Sequence, residues 1–322
     1  MKDKLNFSSI NVLVVGDLML DKNVLGYSNR LSPEAPVPVF IPDGQENFLG
    51  GAGNVVRNLF DLGANVKCVG IVGDDNGGDE IIKISNTLNA NILKNIVIAQ
   101  EHQTTIKERI YLGKKQILRI DHEENINSKY DQIILEKCDQ LIASSDILIL
   151  SDYDKGVLSS NVLHSLVQKA KELNIPTIVD PKKTDFSHYS GSNIITPNLY
   201  EFKKATANFD QSLTKHEKAK MLAEQNDFEH IVITEGAEGM TVLGKNYKTT
   251  SLSTNKVSEA DVTGAGDTVI ATLSLVYALT KDIIFSAKIA NLAANYVVKQ
   301  LGTSSIDIEK LNTLIESKKK IR

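Results

Sequence analysis

Short apolar runs alternate with longer amphipathic segments along most of this 322-residue chain. An apolar run bounded by Gly, Asp or Pro predicts a buried strand, whereas apolar residues spaced three and four apart predict an amphipathic helix. The alternation of strands and helices predicts an α/β fold, in which a mostly parallel sheet carries helices on both faces. The predicted strands are 11–17, 66–73, 146–150, 176–180, 193–197 and 230–236. The predicted helices are 52–64, 77–89, 130–143, 160–173, 199–206 and 214–226.

Two segments depart from this alternation, because apolar and polar residues alternate within 24–42 and 104–121 and no helical pattern interrupts them. A period of two predicts antiparallel strands with one face in water. We therefore predict a single domain over residues 1–322, with a small β-sheet lid formed by approximately 22–43 and 104–121. Proline suits the edge of a sheet because it has no N–H to donate, and the first segment contains Pro33, Pro36, Pro38 and Pro42.

Composition and charge narrow the classes of protein to consider. The chain has 36 basic and 40 acidic residues, a formal net charge of −4, so broad electrostatic attraction to nucleic acid is not expected. Cys68 and Cys138 both lie in apolar patterns, and we predict reduced core residues, as is typical of a cytoplasmic protein. The N-terminus lacks the apolar core of a signal peptide, and no run reaches the ~18 apolar residues that span a bilayer. We expect a cytoplasmic protein that binds neither nucleic acid nor membranes.

Polar side chains follow several of the predicted strands. In open α/β sheets the ligand crevice lies beyond the carboxyl ends of the strands, where such side chains meet. The sequence therefore predicts a binding site at that edge. The polar residues at these strand ends are Asp17, Asp74, Asp152, Asp180 and Asn198.

The segment EADVTGAGDTVIATLSL (259–275) places a carboxylate between a glycine-rich turn and a long apolar helix. A helix N-terminus offers free N–H donors and the positive end of the helix dipole, and glycines let an anion approach the backbone. Asp267 lies in the first turn of this helix, which we predict to end near Ala278. A carboxylate beside a phosphate site suits a general base for phosphoryl transfer. The alternative is an ordinary helix cap, provided by Asp261 or Thr263 above a tight turn.

Other motifs occur in a fixed order around this segment: GGAGN at 50–54, TPN-x-x-E at 196–201, TEGAEG at 234–239 and DVTGAGDT at 261–268. Together they resemble the signatures of the ribokinase-like (PfkB) carbohydrate kinases over essentially the whole chain. The resemblance implies a ribokinase-like three-layer sandwich with a β-sheet lid. It also implies an ATP-dependent sugar kinase that uses Mg²⁺.

One branch of that family fits best, because LSPEAPVPV, VDPKKTDF, ITPNLYEF and KQLGTSSI resemble its sequences. This branch phosphorylates the anomeric hydroxyl of D-glycero-β-D-manno-heptose 7-phosphate to the 1,7-bisphosphate, in ADP-heptose synthesis for the lipopolysaccharide core. In many bacteria the kinase is fused to an adenylyltransferase, but no HxGH nucleotidyl-transfer motif occurs here. We expect a stand-alone kinase that forms a homodimer through the lid.

The resemblance assigns catalysis and nucleotide binding to particular residues. Asp267 would be the base, and the anion hole would consist of Gly264, Ala265 and Gly266. Glu201 would act on Mg²⁺ indirectly, through water, since Mg²⁺ prefers few carboxylates together with water and phosphate oxygens. The residues expected to bind ATP and its metal are Asn198, Glu201, Thr234, Gly236, Gly239 and Asn291.

The substrate residues follow from the same resemblance and from charge. Residues 104–120 hold five basic side chains and one acid, which suits the anionic end of a sugar phosphate, and arginine binds phosphate through two hydrogen bonds. The alternative is an edge strand that charge protects from aggregation. The residues expected to bind substrate are Asp17, Gly50, Gly51, Asn54, Lys107, Arg109 and Gln116.

The chain departs from the heptose-kinase branch at 114–116, where Lys-Lys-Gln replaces the usual Asn-Gln-Gln. This difference leaves open a kinase for another sugar or sugar phosphate, such as fructose 1-phosphate or ribose. A sugar-binding regulator without catalysis is a further alternative, although such a protein has no use for Asp267. A dinucleotide-binding dehydrogenase is disfavoured, because GDLMLD follows the first strand in place of G-x-G-x-x-G.

Overall fold

Strands and helices alternate through the computed structural model, which describes residues 4–88, 92–254, 261–300 and 304–320. The strands are β1 (Asn11–Gly16), β2 (Leu18–Tyr27), β3 (Ile41–Gly51), β4 (Asn65–Val69), β5 (Ile71–Gly73), β6 (Val97–Ala99), β7 (Thr105–Leu112), β8 (Lys115–His122), β9 (Ile147–Ser151), β10 (Thr177–Asp180), β11 (Ile194–Ile195), β12 (His230–Thr234), β13 (Met240–Leu243) and β14 (Thr249–Leu252). The helices are α1 (Ala52–Asp61), α2 (Asn76–Leu88), α3 (Asp131–Ile142), α4 (Ser160–Glu172), α5 (Leu199–Ala205), α6 (Lys215–Asn226), α7 (Ala265–Thr280), α8 (Ile283–Val297) and α9 (Ile308–Lys320).

The central sheet has the strand order β14-β13-β12-β11-β10-β9-β1-β4. Its pairs are parallel from β4 to β12, and β13 and β14 complete it as an antiparallel edge. Successive side chains of a strand point to opposite faces, so Val12 and Val14 of β1 join one core cluster and Leu13 and Val15 join the other. Both faces of the sheet are therefore buried. The predicted three-layer α/β sandwich is confirmed.

Helices cover the two faces of the central sheet. The cluster around Val14 contains residues of α1, α7, α8 and α9, whereas the cluster around Leu13 contains residues of α3, α4 and α6. Helix α7 is buried continuously from Asp267 to Tyr277, as expected for a helix that is apolar on every side. Because it packs against α1, α8 and β10, the start of α7 is fixed at the carboxyl ends of the strands.

A second, smaller sheet has the strand order β3-β2-β7-β8, which confirms the predicted β-sheet lid in addition to the central sheet. The expectation of antiparallel pairing alone is wrong, because β2 pairs with β7 in parallel. The long chain between these strands crosses over, as a parallel pair requires. Residues 28–40, all of them described, contain no strand and only the isolated bridge between Leu31 and Pro38, since prolines remove amide donors there.

The predicted strand 66–73 is wrong as a single element. Its first half, β4, pairs with β1, whereas its second half, β5, pairs with β6 in a separate two-stranded sheet. The break falls at Gly70, where a Cβ atom would lie 2.8 Å from the carbonyl oxygen of Gly16. A glycine permits this close approach of two backbones, and the chain leaves the central sheet at that point.

Two further predictions concern the core and the membrane. Cys68 and Cys138 are buried and free, as predicted. Among the described residues, no helix has both the length and the apolar character required to cross a bilayer.

Candidate active site

The glycine turn and the start of α7 are the centre of the candidate site. Gly264 precedes the helix with φ of 74°, a left-handed conformation that glycine adopts without strain. No side chain among the described residues caps this end, although the N–H of Ala265 donates to the carbonyl of Val262 at 3.2 Å. A Cβ atom on Gly266 would meet nothing within 4 Å. The helix therefore presents bare backbone to a cavity, as an anion site requires, and the anion hole remains a prediction.

Asp267 lies directly inside this turn with both carboxylate oxygens held. The hydroxyl of Tyr153 donates to Oδ1 at 2.7 Å, and Nδ2 of Asn54 donates to Oδ2 at 2.6 Å. Burial raises the pKa of Asp267 from 3.8 to about 6, although both hydrogen bonds lower it. A carboxylate with a pKa near neutrality is suited to accept a proton at physiological pH.

Asn54 is held toward Asp267 by contacts between α1 and α7. Nδ2 of Asn58 donates to the carbonyl of Asn54 at 2.9 Å, and the hydroxyl of Thr268 donates to Oδ1 of Asn58 at 2.8 Å. All these side chains are buried, so the amide has a fixed orientation. Asn54, predicted to bind substrate, therefore contacts the predicted base directly.

A cavity of about 180 Å³ lies in front of the turn, at the carboxyl ends of β9, β10 and β12. Its lining includes Gly266 together with Asp180, Lys182 and Glu201, so carboxylates and a cation surround it. A larger cavity of about 340 Å³ lies near Thr177 at the opposite ends of the strands and contains none of the predicted site residues. The smaller cavity, by contrast, is bordered by the predicted residues Asn198, Glu201, Thr234 and Gly266.

Asn198 and Glu201 form a capping box at the start of α5. Oδ1 of Asn198 accepts the N–H of Glu201 at 2.9 Å, while Oε2 of Glu201 accepts the N–H of Asn198 at 2.9 Å. Oε1 of Glu201 lies 3.4 Å from Nζ of Lys182 and borders the cavity. The two residues therefore stabilise the helix start and also place one carboxylate oxygen at the site.

Asp180 is a site residue that the motif comparison did not assign. It lies at the end of β10, and removal from water, followed by repulsion from Asp267 and Glu201, raises its pKa well above the ordinary value. No cluster of three or more metal-ligating side chains occurs in the described part of the chain. The carboxylates of Asp180 and Glu201, which both border the cavity, nevertheless fit a hard divalent cation that completes its shell with water and phosphate oxygens. The sequence signal was the acidic residue at a strand end.

The predicted nucleotide loop follows β12. Gly239 has φ of 98°, and a Cβ atom there would lie 2.0 Å from the carbonyl oxygen of Leu252, so only glycine fits. Gly236 also has a positive φ but faces open space. Nδ2 of Asn291 donates to the carbonyl of Ser253 at 3.0 Å, which joins α8 to the end of β14 beside this loop. Thr234 borders the cavity, and adenine binding by Asn291 remains a prediction.

Asp17 and Asp21 have different surroundings. Asp17 is 1% exposed, and its carboxylate accepts the N–H groups of Tyr153, Lys155 and Val157 at 2.8, 3.1 and 3.0 Å. Burial and the nearby Asp152 raise the pKa of Asp17 to about 6. Asp17 thus holds the loop at 153–157, and its contact with sugar stays a prediction.

Asp21 lies on β2 and faces the predicted substrate residues. Its Oδ1 accepts a hydrogen bond from Arg109 at 2.6 Å, and both side chains are largely buried. A Cβ atom on Gly50 would lie 2.8 Å from Oδ2 of Asp21, and Gly51 has φ of 56°. The glycine pair therefore lets β3 pass close to this carboxylate. Asp21 is therefore a second candidate for contact with the sugar, and the assignment of Asp17 stays a prediction.

The three predicted residues on β7 and β8 are not equivalent. Arg109 is neutralised by Asp21. Nζ of Lys107 lies 5.3 Å from the ring centroid of Tyr153, and among described residues no carboxylate forms an ion pair with it. Gln116 is exposed on β8. Lys107 is thus a cation linked to the candidate base through Tyr153, a residue to which the motifs gave no role.

The fold and site define a class of protein. A buried carboxylate at a glycine-rich helix start, on a three-layer α/β sandwich with a second sheet, is the arrangement that the sequence motifs predicted. The pattern of the pfkB family of carbohydrate kinases matches residues 9–311, and the chain belongs to this family. The prediction of a sugar kinase is confirmed.

Two curated relatives are similar to nearly the whole of this chain. The "Bifunctional protein HldE" of Coxiella burnetii (strain Dugway 5J108-111) is 37% identical over 314 residues, which are 97% of this chain and 65% of the relative. The protein of the same name from Pasteurella multocida (strain Pm70) is 38% identical over 312 residues, again 97% of this chain and 65% of the relative. The chain therefore spans a little less than two thirds of the length of these relatives.

Solved structures show the same fold. The ribokinase of Arabidopsis thaliana, complexed with ribose and ATP, has a TM-score of 0.72 and 17% identity, over 95% of this chain and 99% of that one. Phosphofructokinase-2 from Escherichia coli, in complex with potassium, has a TM-score of 0.76 and 16% identity, over 96% and 98%. At these identities the likeness establishes the fold alone.

Proposed function

We propose that the chain transfers the γ-phosphoryl group of ATP to the anomeric hydroxyl of D-glycero-β-D-manno-heptose 7-phosphate. The family supports a carbohydrate kinase, and the similarity to the HldE proteins supports this branch within it. The observation that carries the proposal is Asp267, a buried carboxylate with a raised pKa at the start of α7. A protein that only binds sugar has no need of such a group.

The reaction follows from the groups around the cavity. The anomeric oxygen attacks the γ-phosphorus, the bond to ADP breaks, and the proton of the hydroxyl passes to Asp267. The backbone at Gly264–Gly266 and the dipole of α7 stabilise the negative charge that develops on the phosphoryl oxygens. General-base help of this kind contributes about 10²–10⁴ in rate.

Mg²⁺ belongs to this proposal, since phosphoryl transfer from ATP uses it to offset phosphate charge. Glu201, through water, and Asp180 would hold it at the edge of the cavity. Thr234 and the loop from Gly236 to Gly239 would bind the nucleotide, with Asn291 beside adenine. The tight approach of Gly239 to Leu252 supports a loop of fixed shape.

The second sheet would bind the sugar phosphate. Asp21, fixed by Arg109, would accept sugar hydroxyl hydrogen bonds next to Gly50 and Gly51. Lys107 would bind the 7-phosphate, since no described carboxylate forms an ion pair with it and it lies on the face that Arg109 shares. A strong charge-assisted hydrogen bond suits this task.

We infer that a second copy of the chain covers the second sheet. Every residue of β8 is exposed, and Leu118 and Ile120, both apolar, lie on one face of it. Exposed apolar edge strands invite pairing with another chain. Sedimentation should give twice the mass of 35.3 kDa, and Leu118→Lys should give the monomer. A monomeric wild-type protein would contradict the dimer.

A coupled assay of ADP release tests the substrate. Heptose 7-phosphate, fructose 1-phosphate and ribose should be compared at equal concentration with Mg²⁺ and ATP, and Asp267→Asn is the control for contaminating activity. We expect the highest kcat/KM with heptose 7-phosphate, by at least about tenfold, because a buried charged contact is worth ~1.5–3 kcal/mol. Preference for another sugar would overturn the substrate but leave the kinase chemistry intact.

A further inference from the structure

We infer that the hydroxyl of Tyr153 occupies the place of the sugar hydroxyl on Asp267 until substrate binds, and thereby suppresses hydrolysis of ATP by water. Tyr153 would then be a positioning residue whose side chain must move before the kinase reaction. The inference rests on the proposed role of Asp267 as the base. It does not depend on which sugar is the substrate.

The hydrogen bonds at Asp267 are the first support. Oδ1 accepts the hydroxyl of Tyr153 at 2.7 Å, and Oδ2 accepts the amide of Asn54 at 2.6 Å. Asp267 is only 5% exposed, so neither oxygen faces bulk water. A phenol and a sugar hydroxyl are the same kind of donor toward a carboxylate. Tyr153 therefore satisfies the base in the manner expected of the acceptor substrate.

The two ends of Tyr153 are held in different ways. Its N–H is fixed to Asp17 at 2.8 Å, and the next residue, Asp154, has a left-handed φ of 57° with its N–H on Asp152 at 2.7 Å. The main chain is thus anchored in a tight turn. The side chain, by contrast, is only partly buried and borders the cavity. The movement that would release Asp267 is a rotation of the side chain, with the main chain left in place.

Lys107 supplies a link to the substrate. Its ammonium group lies 5.3 Å from the centroid of the Tyr153 ring, a cation–π contact between β7 and the turn. A sugar phosphate that binds Lys107 would draw this cation away from the ring. Removal from water and the charge of Asp267 raise the pKa of Tyr153 well above the ordinary value, so its hydroxyl remains a donor in the resting protein.

The suppressed reaction is ordinary hydrolysis. A water oxygen would attack the γ-phosphorus, the bond to the leaving oxygen of ADP would break, and the water proton would pass to Asp267 and then to solvent. The products are ADP and inorganic phosphate. With Tyr153 in place, water must compete with its hydroxyl for Oδ1 of Asp267, while the amide of Asn54 holds Oδ2.

The test measures ATP hydrolysis by the Tyr153→Phe protein without any sugar. We expect at least a tenfold rise over wild type, a fraction of the ~10²–10⁴ that a general base contributes. The double variant Tyr153→Phe with Asp267→Asn should lose this rise. With sugar phosphate, kcat should stay within about threefold while the KM for the sugar falls, because substrate no longer displaces a hydroxyl.

Other outcomes separate the alternatives. A lower kcat with a lower melting temperature and no added hydrolysis would give Tyr153 a structural role and overturn the inference. A higher KM for the sugar would make Tyr153 a substrate contact and also overturn it. If Tyr153→Phe does not fold, Lys107→Gln is the second test, because it removes the cation over the ring. The rate of ATP hydrolysis without sugar should then rise severalfold. An unchanged rate would overturn the inference.

The readout without sugar also separates this inference from the proposed substrate. If no heptose phosphate is phosphorylated but Tyr153→Phe still hydrolyses ATP faster through Asp267, the inference stands and the substrate assignment fails. If heptose phosphate is phosphorylated but hydrolysis does not rise, the reverse holds.

Discussion

Replacement of Asp267 by asparagine should remove catalysis and at the same time stabilise the protein. The new amide has the shape of the carboxylate, and its carbonyl can accept from Asn54 while its NH₂ group donates to the oxygen of Tyr153. A hydroxyl serves equally as donor or acceptor, so both contacts survive. The fold and the binding of ATP should therefore be retained.

The expected change in the free energy of unfolding follows from the pKa of Asp267. The pKa of Asp267 rises from 3.8 to about 6 on folding, so the folded protein binds this proton more tightly than the unfolded chain does. The stability that this proton contributes is fully present below pH 3.8. This contribution to stability is lost as the pH rises through about 6. At pH 8 the charged side chain thus costs roughly 3 kcal/mol, which the asparagine variant avoids. For a chain of this size this corresponds to about 4 °C in melting temperature.

Two assays check the two halves of this prediction. Thermal melting should show Asp267→Asn above wild type at pH 8, with the difference shrinking toward pH 4. Steady-state ADP release should show kcat reduced by ~10²–10⁴. In wild type, kcat/KM should rise through about pH 6 as Asp267 loses its proton. Near-normal turnover would refute the base, and a lower melting temperature at pH 8 would refute the account of its burial.

Four further changes test the other parts of the site. Lys107→Gln should raise the KM for the sugar phosphate about 10–100-fold and leave the KM for ATP unchanged, and equal shifts in both would contradict a role in phosphate binding. Glu201→Gln keeps the capping box, so the melting temperature should hold while the Mg²⁺ concentration for half-maximal rate rises; an unchanged Mg²⁺ requirement would exclude the metal role. Gly239→Ala places a Cβ 2.0 Å from the carbonyl oxygen of Leu252 and should lower the melting temperature. Gly266→Ala meets no protein atom within 4 Å, so it should keep the melting temperature and lose ATP turnover, and full activity would contradict phosphate binding there.

Much of the fold was predictable because its signals are local. Buried parallel strands appear as short apolar runs, and the burial of both faces of β1 could be predicted without knowing which strands pair with it. The position of Asp267 was equally local, since a glycine turn before an apolar helix specifies both the turn and the helix start. The break at Gly70 was not predictable, because it depends on the backbone of Gly16, which is distant in sequence.

The candidate site was predictable in its main chain but less so in its side-chain contacts. Asp17 and Asp21 both follow β1 closely, and only the folded chain shows that the turn at 153–157 donates three N–H groups to the first. Arg109 has the charge expected of a phosphate ligand, yet Asp21 neutralises it across β2 and β7. The sequence assigned no role to Tyr153, because that role depends on a contact with a residue 114 positions away.

A crystal structure with a non-hydrolysable ATP analogue, Mg²⁺ and heptose 7-phosphate tests the central claim most directly. The γ-phosphate should lie within hydrogen-bond distance of the backbone N–H groups at the start of α7, and the anomeric hydroxyl should donate to Asp267 in place of Tyr153. A triphosphate bound elsewhere, or an Asp267 side chain directed away from the sugar, would contradict the account.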